Sequence, residues 1–182
     1  MDPTPNFKHE PKPTAEMVAF YTKRTAEHIA CVKNNMIVMD GWMGFDLETL
    51  TTRGSAHDAS KYSEEEFEGY VHHTWWHKCR NEGKPFDHTQ EIEELVKKSI
   101  DHHVHYNRHH HEHHKDVNEM TDLDLIEMVC DMTAMAQELN TGKDKSCKVW
   151  AEANVPLWGF EHGKLGVICM AIQEIDKRLD NK

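Results

Sequence analysis

Apolar residues along this sequence recur in stripes with steps of three or four positions, and no stretch reads as a convincing strand, so helices are the regular element it is built to form. Met17, Tyr21, Arg24, His28, Val32 and Met36 share one face of a helix expected from about Ala15 to Met39, with Thr14 as its cap, and His28 lies on the buried stripe. Pro3, Pro5, Pro11 and Pro13 make residues 1–13 an extended arm. Ser63 and Glu66 form a capping-box signature ahead of Phe67, Tyr70, Val71 and Trp75, predicting a second helix to about Arg80. A third starts near Thr89 and carries Ile92, Leu95, Val96, Ser99, Ile100 and His103 on one stripe. Thr121 and Asp124 give another capping-box signature before Leu123, Ile126, Cys130 and Ala134, with Asp131 at the edge of that face. Leu165, Ile168, Cys169, Ile172, Ile175 and Leu179 mark the last helix. Residues 40–58 read as a loop holding at most a short helical turn, and residues 140–163 as a second long loop. The expectation is an all-α bundle of five or six helices, a single domain over residues 14–182 that ends in the loop and helix of 140–182.

A chain of 182 residues can bury one real core. Its 38% hydrophobic and 29% charged residues suit a soluble globular protein. No apolar run nears the roughly 18 residues that cross a bilayer, and the first residues lack the apolar centre of a signal peptide; a cytoplasmic protein without a membrane partner is expected. With 32 acidic against 21 basic residues the formal charge is −11, which disfavours duplex nucleic acid as a partner. Cys31, Cys79, Cys130, Cys147 and Cys169 are odd in number and never paired as CxxC, so reduced packing cysteines are expected rather than a disulfide framework or a thiolate zinc site. The last helix is read as structural or as part of a contact in a homo-oligomer.

Histidine is the outlier. There are 16, and nine of them lie between His88 and His114. Neutral imidazole is the commonest protein metal ligand, so this excess points to metal chemistry. Separated stretches deliver His28, the adjacent pair His57-Asp58, and Asp131 to positions that must either face a core or bind something within it. Imidazole and carboxylate together suit Mn, Fe, Co, Ni, Zn or Mg. Plainer readings stand beside this one: His28 as a core histidine, His57-Asp58 as a helix cap, Lys61 as a solvated lysine, and His111, His113 and His114 as a solvated run that picks up nickel in vitro. His102 and His105 read as outer-shell or surface groups, and Trp75 and Trp76 as core.

The order His, then His-Asp, then Asp on a later helix resembles the HD superfamily of metal-dependent phosphohydrolases. His57-Asp58-Ala59-Ser60-Lys61-Tyr62-Ser63 is similar to the family's HD-x-x-K form. His102-His103-Val104-His105-Tyr106-Asn107-Arg108-His109-His110 and Glu127-Met128-Val129-Cys130-Asp131 resemble the HHxHxNxHH and EMV-x-D strings of an uncharacterised, largely phage and bacterial branch of HD-like proteins. The likeness covers about Tyr21 to Leu139 and departs at His111-Glu112-His113-His114 and at Met132, where that branch carries aromatic residues.

The resemblance implies a metal-site core over about residues 21–139 with one or two divalent ions. His28, His57, Asp58 and Asp131 would hold one ion, and His103 with one or both of His109 and His110 a second, Asp58 bridging. It further implies hydrolysis of a small anionic substrate, a nucleotide or related phosphoester, by water activated on the metal. Asp58 or a nearby carboxylate would take the proton, Lys61 and Arg108 would steady phosphate charge, and Asn107 would orient a ligand. A phage-encoded member would work in the host cytoplasm. Two other implied readings keep the ligand set: an HD-type di-iron oxygenase, and a metal-stabilised protein that binds a nucleotide or a host protein without turnover.

Overall fold

The computed structural model describes residues 12–86, 89–139 and 146–181, so most of the expected N-terminal arm and His88 lie outside the described residues. Among these residues the regular structure is entirely helical, with seven α-helices and short 3-10 turns between them. They are α1 (Ala15–Val38), α2 (Leu47–Ala56), α3 (Phe67–Asn81), α4 (Gln90–Tyr106), α5 (Asp122–Glu138), α6 (Lys148–Asn154) and α7 (His162–Asp180). No helix of the described residues is long and apolar enough to cross a membrane.

The helix starts follow the capping chemistry in three places. Thr14 Oγ1 accepts from the Met17 amide at 3.3 Å, and Thr89 Oγ1 does the same for Ile92. At α5 the reciprocal Thr121–Asp124 box is complete: each side chain accepts from the other residue's backbone N–H. Such caps stabilise a helix by about 1 kcal/mol each.

The seven helices exceed the expected five or six, and two of them, α2 and α6, fall in stretches expected to be loops. Helix α2 occupies part of the expected loop of residues 40–58, started by Asp46, whose carboxylate accepts from the Thr49 amide at 2.7 Å. Its sequence hides it, because Leu47 and Leu50 are the sole large apolar residues of the helix and Gly54 reads as a breaker. Gly54 is there for packing: a Cβ at that position would stand 2.8 Å from the Lys33 Cα of α1. Helix α6 falls inside the second expected loop; it is seven residues long, has no side-chain cap and buries only Ala151, too short for any periodic signal.

The described chain clusters into two compact units. One holds the segments up to Lys23 and from Lys61 to His103; the other holds Arg24–Ser60 and Val104 onward. In the first, Tyr21 and Val71 are buried with Phe67, Tyr70 and Trp75 packed around them, and Gly69 permits close approach of α3 to α4, where a Cβ would collide with the Ser99 hydroxyl. In the second, α5 is buried on all sides from Asp124 to Cys130. It sits among Val32 and Met36 of α1, Leu50 of α2, Ala151 of α6, and Ile168, Ala171, Ile172 and Ile175 of α7. That burial carries polar side chains of α5 into the interior, where they need partners. All five cysteines are free thiols; Cys79, Cys130 and Cys147 are buried, while Cys169 is exposed, one position around α7 from the buried Ile168 and off the face on which it was expected.

Candidate metal centre

In the second unit α5 presents Asp124, Glu127, Asp131 and Glu138, spaced three, four and seven residues apart and therefore along one face of the helix. Opposite stand His28 from α1, His57 and Asp58 from the end of α2, and His109. His57, Asp58 and His109 are each no more than 3% exposed, and His28 is 6% exposed. The Asp131 carboxylate is a fifth exposed.

The donors converge. His28 Nε2 lies 3.1 Å from Asp131 Oδ1 and 3.6 Å from Asp58 Oδ2. His57 Nε2 lies 3.6 Å from Asp58 Oδ2 and 3.8 Å from Asp131 Oδ1. His109 Nε2 lies 3.6 Å from Asp58 Oδ1 and 3.8 Å from Asp131 Oδ2. Ligand atoms about 2.1 Å from a shared ion stand roughly 3.0–3.4 Å apart at adjacent octahedral or tetrahedral corners, so these spacings are those of a coordination shell within a few tenths of an ångström. Asp58, His109 and His110 also each offer a ligand atom within 4.8 Å of the others, which sets a second group against Asp58.

Each of three rings is aimed by a carboxylate behind it. His57 Nδ1 donates to Glu127 Oε1 at 2.9 Å, and His28 Nδ1 donates to Glu138 Oε1 at 2.6 Å. His109 Nδ1 lies 3.5 Å from the same Glu127 oxygen. A carboxylate can only accept, so the proton sits on Nδ1 and a neutral ring turns its Nε2 lone pair toward the cluster, the arrangement that metal-binding histidines use. For His57 the consequence is explicit: Nε2 is buried and has no hydrogen-bond partner. An orphaned buried nitrogen costs on the order of 1–3 kcal/mol, which a bound cation would reverse.

Charge accounting points the same way. Arg53 places Nε on Glu127 and Nη2 on Asp124 at 2.7 Å, and Arg108 forks onto Asp124 at 3.2 and 3.0 Å. Two guanidiniums thus match two buried carboxylates. Asp58 and Asp131 face imidazoles instead, and a divalent cation matches them in charge. Glu127, with His57 and His109, forms another close group, but the Arg53 guanidinium already on that carboxylate excludes a cation there.

The same surroundings shift the protonation of these groups. Burial opposes a charged His57, yet Asp58, Glu127 and Asp131 outweigh it and raise the imidazole above its ordinary value. Burial likewise opposes ionised Glu127 and Asp131, but hydrogen bonds from His109 and His57 in the one case and from His28 in the other hold both carboxylates well below the usual range. Both are therefore available as anions at neutral pH.

Asp58 adopts φ 54°, one of two non-glycine residues with positive φ among the described residues. A left-handed aspartate costs of order 1 kcal/mol and is found where a turn must re-aim a side chain; here it turns the carboxylate back between His57 and His109.

Of the residues singled out in the sequence, His28, His57, Asp58, His109, His110 and Asp131 lie together in this unit. Arg108 is there too, half-exposed and forked onto Asp124, and Asn107 donates to Ser60 Oγ at 2.7 Å. His103 and Lys61 belong to the other unit. There His103 Nδ1 donates to Glu66 at 2.8 Å, and Lys61 Nζ lies 5.2 Å over the Tyr70 ring. Glu66 does not act as the expected capping partner: α3 begins at Phe67 without a side-chain cap, and the buried Glu66 carboxylate accepts from both His102 and His103. Two imidazole donors, His103 buried and His102 about a third exposed, hold that carboxylate instead. His111 stacks on Trp158 with ring centroids 4.3 Å apart, so one member of the run read as solvated is packed on an aromatic ring.

Sequence reasoning missed Glu127, Glu138, Arg53 and Asp124. The signal for the first two was present, since Glu127 precedes Asp131 by one helical turn and Glu138 follows it by two.

Three arms of the α1–α2–α5 framework, each ending in a buried imidazole or carboxylate, define a helical protein with a site that can hold a metal ion. The chain belongs to the family of unknown function DUF5662, whose model matches residues 17–171 and so covers every residue of this cluster. No curated protein and no solved structure matches the chain.

Proposed function

We propose that this protein is a metal-dependent phosphohydrolase of the HD type, acting on a small phosphoester. The observation that carries the reading is the meeting of His28, His57, Asp58 and Asp131 with separations of 3.1–3.8 Å, in the order the HD strings require. A divalent ion bound there would supply Lewis acidity and a water acidified to near neutrality.

The chain's own groups do the rest. Glu127 and Glu138 fix the tautomer and direction of His57 and His28. Asp58 or the neighbouring Asp131 carboxylate accepts the proton of the attacking water. The water oxygen bonds to phosphorus, the ester P–O bond breaks, and the departing alcohol oxygen takes up a proton. Arg53 and Arg108 hold the acidic face of α5 in place through Asp124 and Glu127.

Protein purified without a nickel column is analysed for metal and then assayed for phosphate release from a panel of nucleotides and simple phosphoesters with Mn, Co, Fe, Zn or Mg. Release that disappears in a His57→Ala, Asp58→Ala double variant is the expected result. Iron with oxygen uptake and no phosphate release would replace this reading with the di-iron oxygenase, which the second group of Asp58, His109 and His110 would also serve.

A further inference from the structure

Asp131 has two neighbourhoods. Its carboxylate meets His28, His57 and His109, and it also forms part of the wall of a cavity of about 730 Å³ between α5 and α6. The other walls are chiefly Met132, Met135, Ala136, Leu139, Val149 and Trp150, and among the described residues that line the space none is lysine, arginine or histidine. Its two polar side chains are already engaged: Ser146 Oγ donates to Asp176 at 2.6 Å and Asn154 Nδ2 to the Trp150 carbonyl at 2.8 Å. A cavity this large takes a molecule of drug-like size, and walls this apolar favour an uncharged organic group. Methionine side chains adapt to irregular apolar shapes and favour contact with aromatic rings.

We infer that this cavity receives the alcohol portion of the substrate, and that this portion is an uncharged aryl or alkyl group. The inference rests on the phosphohydrolase reading for the reaction but not for the binding. The ester phosphate would lie at Asp131, the anionic residue among the described walls, where a cation would offset the repulsion between carboxylate and phosphate. The substrate class is therefore a phosphomonoester of an apolar alcohol. Hydrolysis would transfer the phosphoryl group to water and release that alcohol with the proton it gains.

The test uses 1-naphthol and 1-naphthyl phosphate as probes in titration calorimetry with the full chain, metal-free and loaded. Naphthol is expected to bind both forms alike, and naphthyl phosphate only the loaded one. Ala136→Trp, which fills the cavity, is expected to weaken naphthol at least about tenfold while metal content stays unchanged. Met135→Lys, on a more exposed wall, repeats the test should the first variant fold poorly. Among substrates of the loaded protein, kcat/KM for naphthyl phosphate is expected to exceed that for methyl phosphate and for ATP. No naphthol binding, binding indifferent to both substitutions, or a preference for ATP overturns the inference. Failure to hydrolyse any phosphoester would instead overturn the phosphohydrolase reading, and naphthol binding to the metal-free chain would still decide what the cavity takes.

Discussion

His57 gives its Nδ1 proton to Glu127 at 2.9 Å and by doing so points Nε2 at Asp58 and Asp131, where it finds no hydrogen-bond partner. The relation spans 70 residues and joins the end of α2 to the middle of α5. It makes Glu127, which touches no ion in this scheme, the residue that decides which lone pair His57 offers.

Glu127→Gln should therefore keep the fold and lose metal affinity. The amide can still meet His57, but it no longer compels the Nδ1–H tautomer and no longer balances Arg53. A loss of about 10- to 100-fold in affinity is expected from outer-shell substitutions of this kind. Competition with a chromophoric chelator measures it, and an unchanged affinity would leave Glu127 with a structural role alone.

Much of this centre was legible in the sequence, for a physical reason. His28 and Asp131 lie on or beside apolar stripes of long helices, so periodicity alone turned them inward, and the adjacency of His57 and Asp58 fixed those two to one place. The aiming carboxylates were harder to see. Glu127 and Glu138 share the α5 face with Asp131, but acidic residues on a helix are usually solvated; the burial of α5 from Asp124 to Cys130 makes Glu127 otherwise, and the half-buried Glu138 is engaged by His28. Helix α2 was invisible because its place is set by Gly54 lying against Lys33, a tertiary contact with no periodic trace.

That contact gives a second prediction. Gly54→Ala gains helix propensity, yet its Cβ would press within 2.8 Å of the Lys33 backbone and push α2 away from α1. A net loss of about 1–3 kcal/mol in unfolding free energy is expected, read from urea midpoints. A stabilised variant would show that α1 and α2 have room to spare.

Asp58 separates backbone from chemistry. Asp58→Gly relieves the φ 54° conformation whereas Asp58→Ala does not, so the metal-free glycine variant should be the more stable of the two by about 1 kcal/mol. Both should bind metal poorly. Equal stabilities would mean that the left-handed turn at Asp58 carries no strain.

Acid should weaken the fold through Asp124. Burial alone would raise this carboxyl, but hydrogen bonds from Arg108 and Thr121 and the charge of Arg53 hold it below its ordinary value. Its folded value is depressed, so its contribution is complete above the unfolded value of about 3.9 and is lost as pH falls through the folded one. Asp124→Asn should then cost on the order of 2 kcal/mol at pH 7, with the gap from wild type narrowing below pH 4. A pH-independent gap in denaturant midpoints would contradict the assignment.

The account stands on a cation shared by His28, His57, Asp58 and Asp131. Elemental analysis of protein purified without an affinity metal, alongside His28→Ala, His57→Ala and Asp131→Asn variants shown by circular dichroism to be folded, tests it directly. Wild type is expected to carry at least one equivalent of a divalent transition metal, and each variant to lose most of it. Wild type free of metal after incubation with Mn, Fe, Co, Ni and Zn, or folded variants that keep a full equivalent, would contradict it.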